Sequence, residues 1–229
     1  MKKIGVVGGI GPASTLDYYN GIINGVREKT KNDNYPEIVI NSVNMTKMLS
    51  ILSLKDWDTL TDILINAIKA LDAAGAEIAA IASNTPHIVF DRVQAGSNLP
   101  IISIVKATCE YAKKKNNKKS IIIGTRFTMS SGLYSEALEK YNIASVVPSE
   151  EEQLVIHNII FPKLENGIVD LEDKKKMLEI VNSLKVDNSA DALLLGCTEL
   201  PLMIQNNDVD IEVLNTTQIH VEEIINQVL

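Results

Sequence analysis

Two rhythms of apolar residues alternate along this chain. Short, near-continuous runs of Ile, Val, Leu and Ala lie at Lys3–Val7, Glu37–Val43, Glu77–Ala82, Ser120–Gly124, Ala144–Val147, Ala192–Leu195 and Ile211–Leu214. Runs this short, with little polar alternation, predict strands buried on both faces. Between them, apolar residues recur at helical spacing. The clearest case spans Asp58 to Ala74, where Leu60, Ile63, Leu64, Ala67, Ile68 and Leu71 form one stripe. Asp58 is placed to cap its start, and Gly75 stops it. Further helices are predicted near Ser14–Lys29, Val105–Lys115, Glu151–Leu164, Leu171–Leu184 and Gln218–Val228. Strands alternating with helices imply an α/β fold with parallel sheets and crossover helices.

Two stretches break this rhythm. Gly96-Ser97-Asn98-Leu99-Pro100 is small, polar and proline-terminated, as a linker would be, and Gln205-Asn206-Asn207-Asp208 reads as a second crossing. They predict a first α/β domain of residues 1–97 plus 209–229 and a second of residues 98–208. On that reading the C-terminal strand and helix return to the first domain.

Composition narrows the function classes. The chain has 229 residues, 45% hydrophobic and 22% charged, with a net charge of −7. That balance argues against nucleic acid or an anionic membrane as the partner. The basic run Lys113-Lys114-Lys115 sits at a predicted helix end, where the helix dipole favours it. No stretch reaches the roughly 20 apolar residues a membrane helix needs. The two cysteines, Cys109 and Cys197, form no framework, which suits a reducing cytoplasm. His157 and His220 have no carboxylate or cysteine at ligand spacing, so no metal site is expected.

The candidate chemistry lies at strand ends. Val7-Gly8-Gly9-Ile10-Gly11-Pro12-Ala13-Ser14 leads from a strand into a helix, close to a dinucleotide fingerprint. Ser14 replaces its last glycine, and Asn41-Ser42-Val43-Asn44 stands where an acidic residue would close the next strand, so a dinucleotide is not favoured. The backbone of such a turn can still hold a smaller anion such as a carboxylate. Two other junctions resemble each other: Ile81-Ala82-Ser83-Asn84-Thr85-Pro86 and Leu195-Gly196-Cys197-Thr198-Glu199-Leu200-Pro201. Each places a proton-bearing side chain after an apolar run, with polar residues and a proline behind it. They read as two half-sites facing one small molecule. At a helix start Cys197 is expected to carry a lowered pKa, and Cys109, inside an apolar helix, to be inert packing. His87, four residues beyond Ser83, leaves a Ser–His nucleophile open, as does plain N-cap chemistry at Ser83 and Asn84.

Gly8-Gly9-Ile10-Gly11-Pro12 with Ser14-Thr15 and Tyr18-Tyr19, Ser83-Asn84-Thr85-x-His87, Gly124-Thr125-x-x-Thr128, Gly196-Cys197-Thr198-Glu199 and Asn215-Thr216-Thr217-x-Ile219-His220 together resemble the aspartate/glutamate racemase family. The resemblance runs along the whole chain and is strongest to the aspartate racemase branch. It implies a cofactor-independent racemase of a small amino acid: two similar α/β domains with the active site in the cleft between them, in a homodimer. Two family cysteines remove and return the α-proton on opposite faces. Cys197 matches one of them; Ser83 stands at the other, which implies unequal performance in the two directions. Gly9, Ile10, Asn84, Thr85, Thr125, Thr128, Thr198 and Glu199 match substrate-binding positions, and Lys163 is the candidate for a side-chain carboxylate. Asn215 stands where an acidic residue is usual, and Glu165 where a basic one is expected. A single cysteine also leaves open an isomerase or decarboxylase of the same fold, or an amino-acid-binding protein without turnover.

Overall fold

The computed structural model describes residues 1–31 and 34–229. It divides into two compact units, Met1–Ile104 with His220–Leu229, and Val105–Ile219. Unit 1 contains β1 (Ile4–Gly8), α1 (Pro12–Thr30), β2 (Ile38–Ser42), α2 (Met45–Leu54), α3 (Trp57–Ala73), β3 (Ile78–Ile81), a 3₁₀ turn (Thr85–Val89), α4 (Phe90–Ala95) and β4 (Ile101–Ile102). Then come α5 (Ile104–Lys114), β5 (Lys119–Ile123), α6 (Arg126–Ser130), α7 (Ser135–Glu139), β6 (Ala144–Val146), α8 (Glu150–Ile160), α9 (Leu171–Asn188), β7 (Ala192–Leu195) and β8 (Glu212–Asn215). A last helix, α10 (Thr216–Val228), starts in unit 2 and ends in unit 1.

Each unit has one all-parallel sheet, in the order β2-β1-β3-β4 and β6-β5-β7-β8. The order is the same when counted within each unit, so the two are α/β repeats of one design. Both faces of sheet 1 are covered, as its sequence demands. Ile4, Val6, Ile78 and Ala80 pack with Tyr18 and Ile22 of α1 and Ile224 of α10. The alternate residues Val7, Ala79 and Ile81 pack with Leu60, Leu64 and Leu71 of α3. In unit 2, Ile121, Ile123, Leu193 and Leu195 share a core with Ile156, Ile160 and Val181.

Four expectations are corrected. The predicted strand Ile211–Leu214 does not return to the first domain: β8 pairs in parallel with β7, Ala192 opposite Glu212. The units therefore divide after Ile104 and Ile219, not after Ser97 and Asp208, because β4 pairs with β3 through Ala79 and Ala80. The cap of α3 is Asp56, whose carboxylate accepts from the Thr59 N–H at 3.1 Å. Asp58 instead lies in the first turn and pairs with Arg92 at 2.5 Å. Finally, the helix predicted to reach Leu164 stops at Ile160, before Pro162.

Candidate active site

In both sheets the strand order reverses at the centre: β1 leads on to β2 and β3 to β4 on opposite sides, as do β5 and β7. Loops diverging from such a switch point leave a crevice at the carboxyl ends of the strands, the usual place for a ligand in an open α/β sheet. The turns singled out in the sequence stand at these two switch points.

In unit 1, β1 ends in Gly9, whose φ is +81° and where a Cβ would lie 2.3 Å from the Val43 carbonyl oxygen. Only glycine fits there. The Gly9 N–H already donates to Thr15 Oγ1 at 2.9 Å, so it is not a spare donor for substrate. The neighbouring Ile10 side chain is buried in the core. Beside this turn, Ala82 extends the ladder by donating to Val7 (2.9 Å), and Ser14 Oγ donates to the Ala82 carbonyl (3.1 Å). That places Ser83 next to the Gly9 turn. The Ser83 N–H donates to the Ile81 carbonyl at 2.8 Å and its carbonyl accepts from His87 Nδ1 at 2.9 Å. His87 thus holds the Ser83 main chain, and there is no Ser–His nucleophile pair. Asn84 is buried, and half-buried Thr85 opens the 3₁₀ turn.

In unit 2, Thr125 caps α6, and its Oγ1 lies 3.1 Å from Thr128 Oγ1, which in turn donates to the Gly196 carbonyl at 3.4 Å. Gly196 is required by close approach, since a Cβ would meet Thr128 Cγ2 at 2.7 Å. The two threonines therefore brace the turn that presents Cys197. The Cys197 thiol donates to Glu199 Oε2 at 2.9 Å, and Thr198 Oγ1 donates to the same oxygen at 2.9 Å. Cys197 and Glu199 are each 8% exposed. Burial pushes the Cys197 thiol well above its usual range, and the Glu199 charge and hydrogen bond, with Glu165 beyond, push in the same direction. The expected lowered pKa is therefore corrected. The 3₁₀ turn after Cys197, Leu200–Leu202, is too short for a useful dipole, and a carboxylate faces the sulfur instead. Cys109, fully buried, is pushed up to about 12 chiefly by burial.

Lys163 does not join this cluster. Its ammonium binds Asp173 at 2.6 Å and Asp170 at 3.3 Å. Arg126, between Thr125 and Thr128, is exposed, and its charge reaches His157 on α8. Two residues join the picture that the sequence reading did not assign. Glu165, half-buried, is raised by burial and by Glu199; its appearance where a basic residue was expected was the available signal. Thr217 Oγ1 is buried with no partner among the described residues, just beyond β8 within the Asn215-Thr216-Thr217 motif. Asn215 caps α10 through the Gln218 N–H (3.1 Å), and Thr216 Oγ1 donates to the Leu195 carbonyl (2.8 Å), tying β8 to the strand end that carries Cys197. Among the described residues no group of side chains could hold a metal ion, and no helix is long and apolar enough to cross a membrane.

Known proteins resemble this chain in sequence and in fold. An aspartate racemase homologue from Pyrococcus horikoshii OT3 is 40% identical, with 99% of each chain covered and a TM-score of 0.88. A broad specificity amino-acid racemase, RacX, from Bacillus subtilis is 22% identical over 93% of this chain and 92% of its own length. A glutamate racemase from Koribacter versatilis is 30% identical over 65% of this chain, and the match spans only 50% of that relative. The family model described as Asp/Glu/Hydantoin racemase matches residues 7–224. The chain belongs to the Asp/Glu/Hydantoin racemase family.

Proposed function

We propose that this protein is a cofactor-independent amino-acid racemase of aspartate/glutamate type, with Cys197 and Ser83 as its two proton carriers. The observation that carries the reading is the Cys197 thiol bound to the Glu199 carboxylate at 2.9 Å, at a switch point equivalent to that of Ser83. The thiol is held protonated, so it is ready to act as an acid. To act as a base it passes its proton to Glu199 and, as thiolate, takes the α-proton. A thiolate whose conjugate acid is weak is the stronger base toward a carbon acid. The carbanion charge moves into the substrate carboxylate, for which the Ile10 N–H, Asn84, Thr85, Thr198 and Thr217 are the donors we propose.

Ser83 serves the other face. Its hydroxyl is a far weaker acid than a thiol, so it gives up a proton reluctantly and is replenished from water. Every inversion uses both carriers, and an equilibrium constant of one makes kcat/KM equal for the two enantiomers. The inequality expected of a Ser–Cys pair therefore appears in α-hydrogen exchange. The enantiomer facing Cys197 exchanges many times for each inversion. Incubation of each enantiomer in D2O with chiral analysis tests this. We expect exchange well in excess of inversion for one enantiomer, abolished by Cys197→Ala. Full exchange in that variant refutes the mechanism. Exchange with no inversion at all favours the one-faced chemistry that a lone cysteine allows, and no exchange across an amino-acid panel favours a binding protein. Family resemblance supports a homodimer, and the sparse cysteines a cytoplasmic setting.

A further inference from the structure

Unit 1 buries two histidines, His87 (4% exposed) and His220 (0%), with ring centroids 6.2 Å apart. Their main-chain partners fix their tautomers, which ring coordinates alone do not reveal. The Ile104 N–H can only donate, and it lies 3.3 Å from His87 Nε2, so that nitrogen is bare. His87 Nδ1 then carries the hydrogen and donates it to the Ser83 carbonyl at 2.9 Å. The Ile102 carbonyl can only accept, so His220 donates to it from Nε2 at 2.9 Å. His220 Nδ1 is therefore bare and receives the Tyr18 hydroxyl at 2.7 Å. Phe90 stacks on the His87 ring at 5.4 Å with an interplanar angle of 7°, which leaves it little freedom to turn.

Three of the four ring nitrogens hold main chain, and the one aimed at the candidate site, His87 Nδ1, holds that of Ser83. The Ser83 N–H is committed to Ile81 and its carbonyl to His87, whereas its hydroxyl has no partner among the described residues. We propose that His87 is a positioning residue for proton transfer at Ser83: its Nδ1–H holds the Ser83 carbonyl, with Nε2 taken by the Ile104 N–H to fix that tautomer, and so aims a hydroxyl left free for substrate. This rests on the reading of Ser83 as the second proton carrier. His220, which binds Ile102 and faces the His87 ring, fixes the segment from which His87 takes its bearing.

Two variants separate the halves of the clamp. In His87→Asn the side-chain amide can still donate to Ser83 but no longer reaches Ile104. In His87→Gln it can accept from Ile104 but gives up the Ser83 contact. The readout is the ratio of inversion to exchange for the enantiomer facing Cys197. Misplacement of a reacting group on the ångström scale costs up to about 100-fold. His87→Gln should therefore lower the ratio by about 10- to 100-fold while exchange itself persists, and His87→Asn should keep it near wild type. A purely structural histidine would lower inversion and exchange together, and that result overturns the proposal. Nitrogen NMR of the wild-type histidines is an arm independent of activity and of variant folding. Nδ1–H on His87 and Nε2–H on His220 are expected, and an Nε2–H tautomer of His87 refutes the clamp. A wild type that exchanges without inverting removes the role of Ser83 and the proposal with it. One that does neither sinks the racemase reading itself, and the nitrogen spectrum still shows whether the clamp exists.

Discussion

Lowering the pH from 7.5 to 5 should cost this fold several kcal/mol, through two residues. Burial drops His87 to about 4 and His220 to about 3, the latter helped by His87 facing it. In the unfolded chain both titrate near 6.5. As pH falls below about 7, the unfolded state takes up two protons that the folded state refuses, so stability is full above that point and is lost going down. At pH 5 both rings stay largely neutral in the fold. Each therefore contributes a loss of about 2 kcal/mol, at roughly 1.4 kcal/mol per pH unit over 1.5 units, and the pair about 4 kcal/mol. That is a large share of the roughly 5–15 kcal/mol a domain usually has. The loss stops growing only below the folded-state values. His157, also lowered by burial, adds to the loss, and Glu165, raised, works weakly against it near pH 5. Urea unfolding across this range should give a slope approaching two protons near pH 5.5, reduced by roughly half when His220 is replaced by glutamine. A flat profile from pH 7.5 to 5, or an NMR titration of either ring near 6.5, refutes the assignment of both as buried and neutral.

Other outcomes follow from the candidate site and the corrected cap. Ser83→Cys should raise exchange of the slow enantiomer more than that of the fast one, measured by deuterium incorporation; an equal change in both contradicts the asymmetric pair. Glu199→Gln removes the acceptor of the thiol proton and should cut exchange by on the order of 10²-fold or more. Loss of its charge should at the same time speed alkylation of Cys197 by iodoacetamide, and slower alkylation would argue against Glu199 as the cause of the raised thiol. Asp56→Ala should cost about 1 kcal/mol in urea unfolding, as loss of an N-cap does. Asp58→Ala should cost less, because its partner Arg92 is a surface pair, and the reverse order would restore Asp58 as the cap.

The sequence disclosed what short-range chemistry decides. The Ile, Val and Leu runs became strands because both faces of each parallel sheet are covered, and the glycine turns and matched junctions fell at strand ends where that topology opens a crevice. What it concealed was settled between distant residues. β4 is two residues long and directly follows the stretch that reads as a linker, so nothing local marks it as a strand; its pairing with Ala79 and Ala80 makes it a sheet edge. β8 carries no local mark of its sheet; its partnership with β7 does. α2 escaped notice because its stop is Lys55 in a left-handed turn, without the glycine or proline that would announce it. The protonation of Cys197 was misread because Glu199, two residues on, folds back onto the sulfur, and no spacing rule reveals that orientation.

That contact also bears on how the protein withstands peroxide. Sulfenic acid forms from thiolates, not from thiols, and further oxidation beyond it is irreversible. A buried sulfur whose hydrogen is pinned by a neighbouring carboxylate offers peroxide almost no anionic target at rest. In the mechanism proposed above, the vulnerable form exists only while the proton resides on Glu199, with substrate covering the sulfur. The device that makes Cys197 slow to ionise is thus also its antioxidant shield.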